Sequence, residues 1–478
     1  MSSAAEYWKR RRGFILAAIG SAIGLGNIWR FSWLCYRNGG GAFLVPYIIF
    51  LLIFGIPLLV LEFMLGHYFS GSSPKVFRKI KESLEPLGWL ATINVFIIGT
   101  YYSVVLAWAM NYIGYSAVVA WKTVEGVGPT FDSMISNPAI VIVGLIITWL
   151  IVWITNFTGV ASGIERACTY AIPLLWILSA VLVIRGLTLP GSDIGINWLL
   201  TPSAQAFSGS ALIDAAGQIL FTLSVFASTM IAYASYLPPK SEIPNSAWIT
   251  AFANCGFSFF FAFATWGIIG YLMHIMNVAT PADLPVPLAG AGLAFVTIPT
   301  GVTLLPGAPF TTAVFGTLFF IVLWLAGYTS LISIVEPVYT ALKDKFGIPR
   351  KKAISGIVAF SFIISILFAV RPDLIDPVDF MVGSTNGIWL VLLEAILAGY
   401  FLGMKLLRDY VNPNAEWKLG PWFDVFIKFV SPIVLLVILG WGLATTAHVS
   451  PISVLTIVVM IIAALILSGF KWRTKEVK

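Results

Sequence analysis

The chain has 478 residues, of which 59% are hydrophobic and only 10% are charged. Soluble domains usually carry about 25% charged residues, so this composition excludes an ordinary soluble domain and indicates an integral membrane protein. The three cysteines, Cys35, Cys168 and Cys255, follow no motif spacing, which excludes a disulfide-stapled secreted domain.

Apolar segments of about 20 residues or more predict twelve membrane-spanning helices and an all-α fold. The first segment is long and no small-residue cleavage site follows it, so we expect no cleaved signal peptide. The predicted spans cover residues 13–37, 41–70, 87–121, 137–157, 166–187, 210–236, 244–276, 307–342, 352–371, 375–404, 422–446 and 452–470.

The net charge of +7 comes from lysines and arginines that cluster at both chain ends and in alternate loops. The densest groups lie within residues 9–12, 75–81, 343–352 and 471–478. Because positively charged loops mark the cytoplasmic side, we predict a multi-pass protein of the cell membrane with both termini cytoplasmic. The membrane topology thus accounts for the positive charge, and we expect no nucleic-acid partner.

The first span contains a stretch that weakens a helix at mid-membrane depth, residues 20–27 with the sequence GSAIGLGN. Each glycine weakens helix propagation by about 1 kcal/mol relative to alanine. Asn27 and Arg30 add polar groups to the same span. The stretch therefore predicts an interrupted helix, with close packing through small residues as the alternative explanation.

The sixth span carries Gln218, Thr222, Ser224 and Ser228 within its apolar run. Hydroxyl side chains can also bond to the preceding turn of an unbroken helix. The spacing between the polar stretches of spans one and six favours a break. Each stretch lies in the first span of a unit of five. Because five is an odd number, a tandem repeat of such units places its two copies in opposite orientations. Inverted repeats with broken helices in matching positions indicate the midplane binding site of a transporter.

The repeats predict the organisation of the chain. A cytoplasmic segment over 1–12 precedes a transporter core over 13–404, whose inverted repeats are 13–187 and 210–404. Two accessory membrane helices over 405–470 and a cytoplasmic tail over 471–478 complete the chain.

Two motifs, residues 24–31 (GLGNIWRF) and 38–47 (NGGGAFLVPY), resemble the neurotransmitter:sodium symporter family, and the chain resembles its prokaryotic members. The resemblance implies a transporter with helices one and six broken, which moves sodium and its cargo together by alternating access and is not an enzyme. Shorter segments in the same order support it: Tyr101-Tyr102, Tyr233-Ala234-Ser235-Tyr236, Ala253-Asn254-Cys255, Gly292-Leu293-Ala294-Phe295 and Ala326-Gly327-Tyr328-Thr329-Ser330.

The resemblance also implies two sodium sites made of neutral oxygen ligands, which suit a hard cation. The first uses the carbonyl of Ala22 and the side chains of Asn27, Thr222 and Asn254. The second uses the carbonyls of Gly20, Ile23 and Ala326 and the hydroxyls of Thr329 and Ser330. Interhelical hydrogen bonding is the alternative role of each such side chain taken singly.

Chloride binding is predicted from Ser258, which stands four residues after Asn254 and so faces the same side of its helix. In the family, chloride-independent bacterial members carry glutamate at this position, and chloride-requiring animal members carry serine. The other expected ligands are Tyr47, Gln218 and Thr222. The alternative is an inert serine, with proton antiport or another carboxylate, Glu62 or Glu394, balancing the charge.

Gly24 stands where the family's monoamine carriers place an aspartate, so the cargo is expected to bring its own acid. This predicts an amino acid or a similar zwitterion, whose carboxylate meets the N–H groups of Leu25 and Gly26 and the Tyr102 hydroxyl. The family's Gly-x-Gly in helix six is replaced by Phe226-Ala227-Ser228, which leaves the pocket size open. The predicted substrate residues are Ser21, Ala22, Gly24, Leu25, Gly26, Ile98, Tyr102, Phe221, Ser224, Ala227, Ser330 and Ile334.

Two gates are predicted around this site. The outer gate pairs Arg30 with Asp379, with Phe221 as a hydrophobic lid and Gln218 beside it; a static structural bridge is the alternative role of the pair. The inner gate contains Trp8, Tyr236 and Asp344. The family's arginine three residues before the tryptophan is replaced by Ala5, and Lys9 and Arg10 are the candidate substitutes.

Two other function classes remain as alternatives to symport. Opened helices can line a ligand-gated or leak channel, and a protein of this fold can bind an amino acid as a sensor without moving it. No nucleophile, metal or phosphate-loop motif supports an enzyme or an ATP-driven pump.

Overall fold

The computed structural model describes residues 6–202, 207–226, 228–445 and 450–473, and within these ranges every regular element is helical. We number the spans α1 to α12. Ten are continuous helices: α2 (Gly41–Phe69), α3 (Glu82–Ala117), α4 (Pro138–Phe157), α5 (Val160–Leu187), α7 (Pro244–Met276), α8 (Phe310–Phe346), α9 (Arg350–Val370), α10 (Pro372–Asn414), α11 (Pro421–Gly442) and α12 (Pro451–Gly469).

The remaining two spans, the first and the sixth, are broken. The first consists of α1a (Arg11–Ala22) and α1b (Gly26–Arg37), which are bent by 60° relative to each other. The sixth consists of α6a (Gly209–Thr222) and α6b (Thr229–Ala234). Each broken helix opens a unit of five spans, so the predicted twelve-helix fold with two inverted repeats is confirmed.

The long helices α3 and α8, each third in its repeat, form the most extensive helix pair of the structure. The broken helices pack beside them, with α1a against α8 and α5, and α6b against α2 and α8. This arrangement brings the ends of all four half-helices to the centre of the bundle. The outer helices present apolar side chains, and α12 buries only 17% of its most apolar window, as expected for a surface that faces lipid.

The end of α10 differs from its prediction. The apolar run ends near residue 404, but helical structure extends to Asn414. The change of direction comes at Gly403, whose φ of 89° lies in the left-handed region that glycine adopts without steric cost. The segment after it, Met404–Val411, is amphipathic, and it buries Met404, Leu407 and Val411. The predicted domain boundaries themselves stay a prediction.

Both described chain ends lie on one side of the bundle, which we call the terminal face; the opposite side is the distal face. A buried ion pair between Lys345 of α8 and Glu85 of α3 holds this face together. The Lys345 ammonium group also donates to the carbonyls of Leu467 (2.6 Å) and Ser468 (3.0 Å) at the end of α12. All three N–H groups of this lysine are therefore used, although its side chain is fully buried.

Replacing Lys345 with methionine should destabilise the protein, because the buried Glu85 carboxylate loses its closest cation and keeps only the partly exposed Arg78, at 3.3 Å. Removing one partner of a buried pair costs about 3–5 kcal/mol. The measurement is thermal unfolding in detergent. The control is Lys352→Met, which removes the same charge from an exposed position at the start of α9; an equal loss of stability in both variants would show that the buried pair contributes nothing special.

Candidate functional site

The break in α1 leaves backbone groups without helical partners at the centre of the bundle. The chain becomes extended at Ile23, with ψ of 111°. Beyond it, the Leu25 N–H donates to the Tyr102 hydroxyl of α3 at 3.2 Å, and the Gly24 N–H donates to the Asn27 side chain at 2.8 Å. A side chain of α3 and one of α1b thus take the places that the next helical turn would fill.

The break in α6 faces the break in α1. Ser224 adopts a left-handed conformation, with φ of 54°, which few residues other than glycine adopt. Its hydroxyl donates to the Ser21 carbonyl at 3.0 Å and so joins the two breaks directly. The sequence prediction that both stretches depart from regular helix, around Ala22 and Ser224, is confirmed by these conformations.

The residues predicted for the second sodium site converge on α8. The Ser330 hydroxyl lies 3.4 Å from the Gly20 carbonyl and 3.0 Å from the Ile23 carbonyl. Thr329 donates to the Ala326 carbonyl at 2.9 Å. These are neutral oxygen atoms grouped within hydrogen-bond distance, which is the donor set that a monovalent cation requires.

The residues predicted for the first sodium site also lie together. The Asn27 amide nitrogen is within 3.3 Å of the Thr222 hydroxyl, of both oxygen atoms of Asn254, and of the Ser258 hydroxyl. An amide carries two N–H groups, so it cannot satisfy four acceptors at once. The Asn254 amide and the Thr222 and Ser258 hydroxyls donate within the same group, so its oxygen atoms form one connected hydrogen-bond cluster. Ala22, the remaining predicted ligand, lines the adjoining central cavity.

The residues predicted to bind chloride surround the same cluster. The Tyr47 hydroxyl is buried beside the Cys255 thiol and the Ser258 hydroxyl. Gln218 is fully buried, and its amide nitrogen reaches the Gly26 carbonyl only at 3.5 Å. Tyr47 thus places a buried hydroxyl group next to Ser258.

A central cavity of about 60 Å³ lies between the two breaks. All the predicted substrate residues line it except Ala227, which lies outside the described residues. Val95, Phe226, Thr229 and Ser333 also line the cavity and were not predicted. None of the described residues that line it is acidic or basic. A side chain at Gly24 has no room there, since a methyl carbon would lie 2.8 Å from the Tyr102 hydroxyl.

A larger cavity of about 300 Å³ lies on the distal side of the central one. Phe221 and Phe226 line both cavities and separate them. The Arg30 guanidinium lies over the Phe221 ring, 4.8 Å from its centroid. The lid predicted at Phe221 is therefore placed between the two cavities, next to the first residue of the predicted outer gate.

The predicted ion pair between Arg30 and Asp379 is not formed in this conformation. No nitrogen of Arg30 lies within 4.0 Å of Asp379 among the described residues, and Asp379 instead accepts a hydrogen bond from Tyr101 at 2.5 Å. The physical reason is that the distal cavity separates the helices, so each charged group finds a nearer partner, a ring face for Arg30 and a phenol for Asp379. Tyr101 was quoted from the sequence but given no role.

Trp8, a predicted gate residue, lies at the terminal face. Trp8 is buried, its indole N–H donates to the Tyr233 carbonyl at 2.8 Å, and its ring packs edge-on against Tyr236 at 6.5 Å. The Tyr236 hydroxyl bonds Glu336 at 3.0 Å and Thr340 at 2.8 Å. The segment before α1a is thus attached to α6b, and α6b is attached to α8.

Asp344 does not join this cluster, which corrects the prediction. Its carboxylate accepts hydrogen bonds from the backbone N–H and the hydroxyl of Ser72, at 2.8 and 2.9 Å. It therefore holds the turn after α2, and neither of these two hydrogen bonds reaches Trp8 or Tyr236. The reason is geometric: Asp344 lies two turns beyond Glu336 on α8, and the carboxylate that reaches Tyr236 is Glu336.

An ion-pair network on Arg350 takes the place of the predicted one. The Arg350 guanidinium pairs with the fully buried Glu336 of α8 and with Glu6 at 2.7 Å, and it donates to the Asn156 carbonyl at 2.7 Å. The substitutes predicted for the missing arginine do not occupy this place; Lys9, for example, contacts Glu165 through its backbone N–H. An arginine from the start of α9 supplies the cation.

A signal for this network was present in the sequence. Glu336 is an acidic residue inside an apolar span, and such residues normally pair and mark function. Its partner, Arg350, was assigned to the basic loop that indicates topology, so the two were not connected.

Two broken helices that enclose one polar cavity between inverted repeats define a membrane transporter of the inverted-repeat class. The sodium:neurotransmitter symporter family model matches residues 5–127 and 124–467. The chain belongs to this family, as its motifs indicated, and it is a sodium-dependent transporter rather than an enzyme.

Individual relatives agree with the family model. An uncharacterized sodium-dependent transporter of Methanocaldococcus jannaschii is 40% identical, over 90% of this chain and 89% of its own length. The sodium- and chloride-dependent taurine transporter of Bos taurus is 28% identical, over 90% of this chain and 76% of its own. The crystal structure of MhsT in complex with L-phenylalanine matches with a TM-score of 0.80 and 26% identity, covering 92% of this chain and 100% of that one.

Replacing Arg350 with alanine should open the terminal face, because it leaves Glu336 buried without a cation and releases Glu6. The buried native Cys168, whose sulfur lies close to Gly20 of α1a, can report the opening. With Cys35 and Cys255 replaced by serine, we expect a thiol reagent to label Cys168 at least about tenfold faster, a shift of 1.4 kcal/mol.

The matched control for Arg350→Ala is Lys352→Ala, which removes an exposed cation two residues away. It should leave the labelling rate unchanged. An unchanged rate in Arg350→Ala as well would mean that the network does not hold the terminal face closed.

Proposed function

We propose that this protein is a sodium-coupled, chloride-dependent symporter of an amino acid or a similar zwitterion, located in the cell membrane with its terminal face in the cytoplasm. The observation that carries the proposal is the central cavity, where peptide groups released by two helix breaks meet. Carbonyls of Gly20, Ser21 and Ile23 lie beside it on one side, and the Leu25 N–H and the Tyr102 hydroxyl lie on the other.

A zwitterion suits this distribution of backbone groups. A cargo carboxylate fits at the Leu25 N–H and Tyr102, and a cargo amine fits at the Ser21 carbonyl, which now accepts from Ser224 and Ser330. No charged side chain of the described residues lines the cavity, so a cargo with a net charge would find no counterion. MhsT was crystallised with L-phenylalanine, and relatives are named as transporters of taurine, creatine and GABA. Each of these molecules has an acidic and a basic group and can therefore form a zwitterion.

Sodium fits the two oxygen clusters described above. In the first, the cation would lie among the side-chain oxygen atoms of Asn27, Thr222 and Asn254. In the second, it would lie between the Gly20 and Ile23 carbonyls and the Ser330 hydroxyl oxygen, with the O–H group turned away from it. Because the first cluster adjoins the cavity, a cargo carboxylate can complete its shell, so sodium and cargo raise each other's affinity by the same factor.

Chloride fits beside the first sodium cluster. Two sodium ions in a low-dielectric site repel each other, and an anion offsets their charge. Tyr47 supplies a buried O–H group that an anion can accept from, and Ser258, Gln218 and Thr222 lie around it. The taurine, creatine and GABA transporters among the relatives are named as chloride-dependent.

The cycle begins from the arrangement observed here, with the terminal face closed and a cavity on the distal side. Loading draws α1b and α6a towards α10, which brings Arg30 and Asp379 into contact over Phe221. Release requires Trp8 to leave Tyr236 and the Arg350 network to separate, so that the helices of the broken pair rock against the scaffold.

The test is uptake by purified protein in vesicles, with a panel of amino acids and amines and with sodium and chloride each present or replaced. We expect saturable uptake of a zwitterion, driven by the sodium gradient at a fixed ion ratio. A channel would instead show non-saturating flux without coupling, and a sensor would show sodium-dependent binding without counterflow. Either result would contradict the proposed function.

Replacing Ser258 with glutamate should make uptake independent of chloride, because a fixed carboxylate then supplies the negative charge beside the first sodium site. Ser258→Gln is the matched control, because glutamine is similar in size to glutamate but carries no charge. Uptake by this variant should be weak with or without chloride. The measurement is initial uptake rate against chloride concentration. Wild-type uptake that already ignores chloride would contradict the assignment.

A further inference from the structure

Phe226 is an unusual residue for its position, because it lies in the α6 break where the family normally carries glycine. Its ring is 7% exposed, although it follows directly on residues with irregular backbone. The ring packs edge-on against Phe221, with centroids 6.3 Å apart and planes at 80°. An aromatic pair of this geometry is worth about 0.5–1.5 kcal/mol beyond the area that it buries.

The other side of the Phe226 ring rests on Gly387 of α10. A methyl carbon added at Gly387 would lie 2.6 Å from one ring carbon and 2.7 Å from the next, closer than real side-chain carbons approach. The ring therefore occupies a recess that exists only because residue 387 has no side chain. The contact joins the break of α6 to α10, a helix outside the broken pair.

The position of the ring sets the size of the central cavity. Phe221 and Phe226 are the residues common to both cavities, so together they form the wall between about 60 Å³ on the inner side and about 300 Å³ on the distal side. A cargo side chain that enters the inner cavity therefore meets this wall, and the two rings limit its size.

We propose that Phe226, held in the Gly387 recess, is a specificity-determining residue that favours zwitterions with small side chains. This inference rests on the proposed function and deepens it. Phe221 alone separates the cavities in the absence of the Phe226 ring, so a larger cargo side chain could then extend towards the distal cavity beneath Phe221.

The experiment measures sodium-driven uptake of glycine, L-alanine, L-leucine, L-phenylalanine and L-tryptophan in vesicles, each also as a competitor of the others. The wild-type protein should prefer alanine to leucine by at least about tenfold. Phe226→Ala should reduce or reverse this ratio, and Phe226→Leu should give an intermediate ratio. Because the readout is a ratio of substrates, a partial loss of folded protein does not affect it.

Gly387→Ala tests the recess independently of residue 226. The added methyl should push the ring into the central cavity, so uptake of alanine should fall relative to glycine. In the double variant Phe226→Ala, Gly387→Ala this effect should disappear, because no ring remains to be displaced. The control is Gly356→Ala on α9, where an added methyl meets nothing within 4 Å and the ratios should stay unchanged.

The results separate this inference from the proposed function. Sodium-driven uptake in which phenylalanine or tryptophan is preferred by the wild-type protein, or in which Phe226→Ala keeps the wild-type ratios, overturns the role of Phe226 and leaves the symporter intact. An absence of sodium-driven uptake of any zwitterion in the wild-type protein overturns the proposed function itself, and the inference with it.

Discussion

A helix that stops inside a membrane must find partners for its peptide groups, since hydrocarbon supplies none. The structure depends on how this chain meets that constraint at α1 and α6. Serine hydroxyls from α6 and α8, and a tyrosine hydroxyl from α3, take the released groups around Ser21 and Leu25. These partners are neutral and small, so an ion or a polar ligand can replace them without leaving a buried charge unpaired.

The same constraint explains why so many parts of the fold meet at one place. The peptide groups of α1 require contacts from α3, α6 and α8 at once, which fixes the relative positions of both repeats. A cavity follows at the meeting point, because extended backbone packs less closely than helices. The binding site is thus a consequence of the breaks rather than an addition to the scaffold.

Much of this arrangement was predictable because its determinants are local in sequence. Glycines around Gly24 and hydroxyl residues around Ser224 report the breaks, and runs of apolar residues report the spans. The charged partners were less predictable. Arg30, Glu336 and Asp344 have long side chains or lie on long helices, and their partners depend on how those helices are rotated. The family resemblance identified Arg30 and Asp344 as gate residues, but it did not include Glu336 and did not decide which carboxylate would reach which cation.

The two buried ion pairs on the terminal face connect different parts of the fold, one between scaffold helices and the other to the segment before α1a. Lys345 and Glu85 connect α8 with α3, and the same lysine binds the end of α12, so this pair lies among scaffold helices that can stay together throughout a transport cycle. Arg350 and Glu336 hold the segment that contains Glu6, which is 27% exposed at its side chain and lies two residues before Trp8.

A buried ion pair is close to neutral in net free energy, because hydration of the separated ions offsets their attraction. Such an ion pair can form and separate with little change in free energy, provided that water reaches both ions when they separate. The partly exposed Glu6 is the member through which water can first enter, so the network combines a closed resting state with a route to opening.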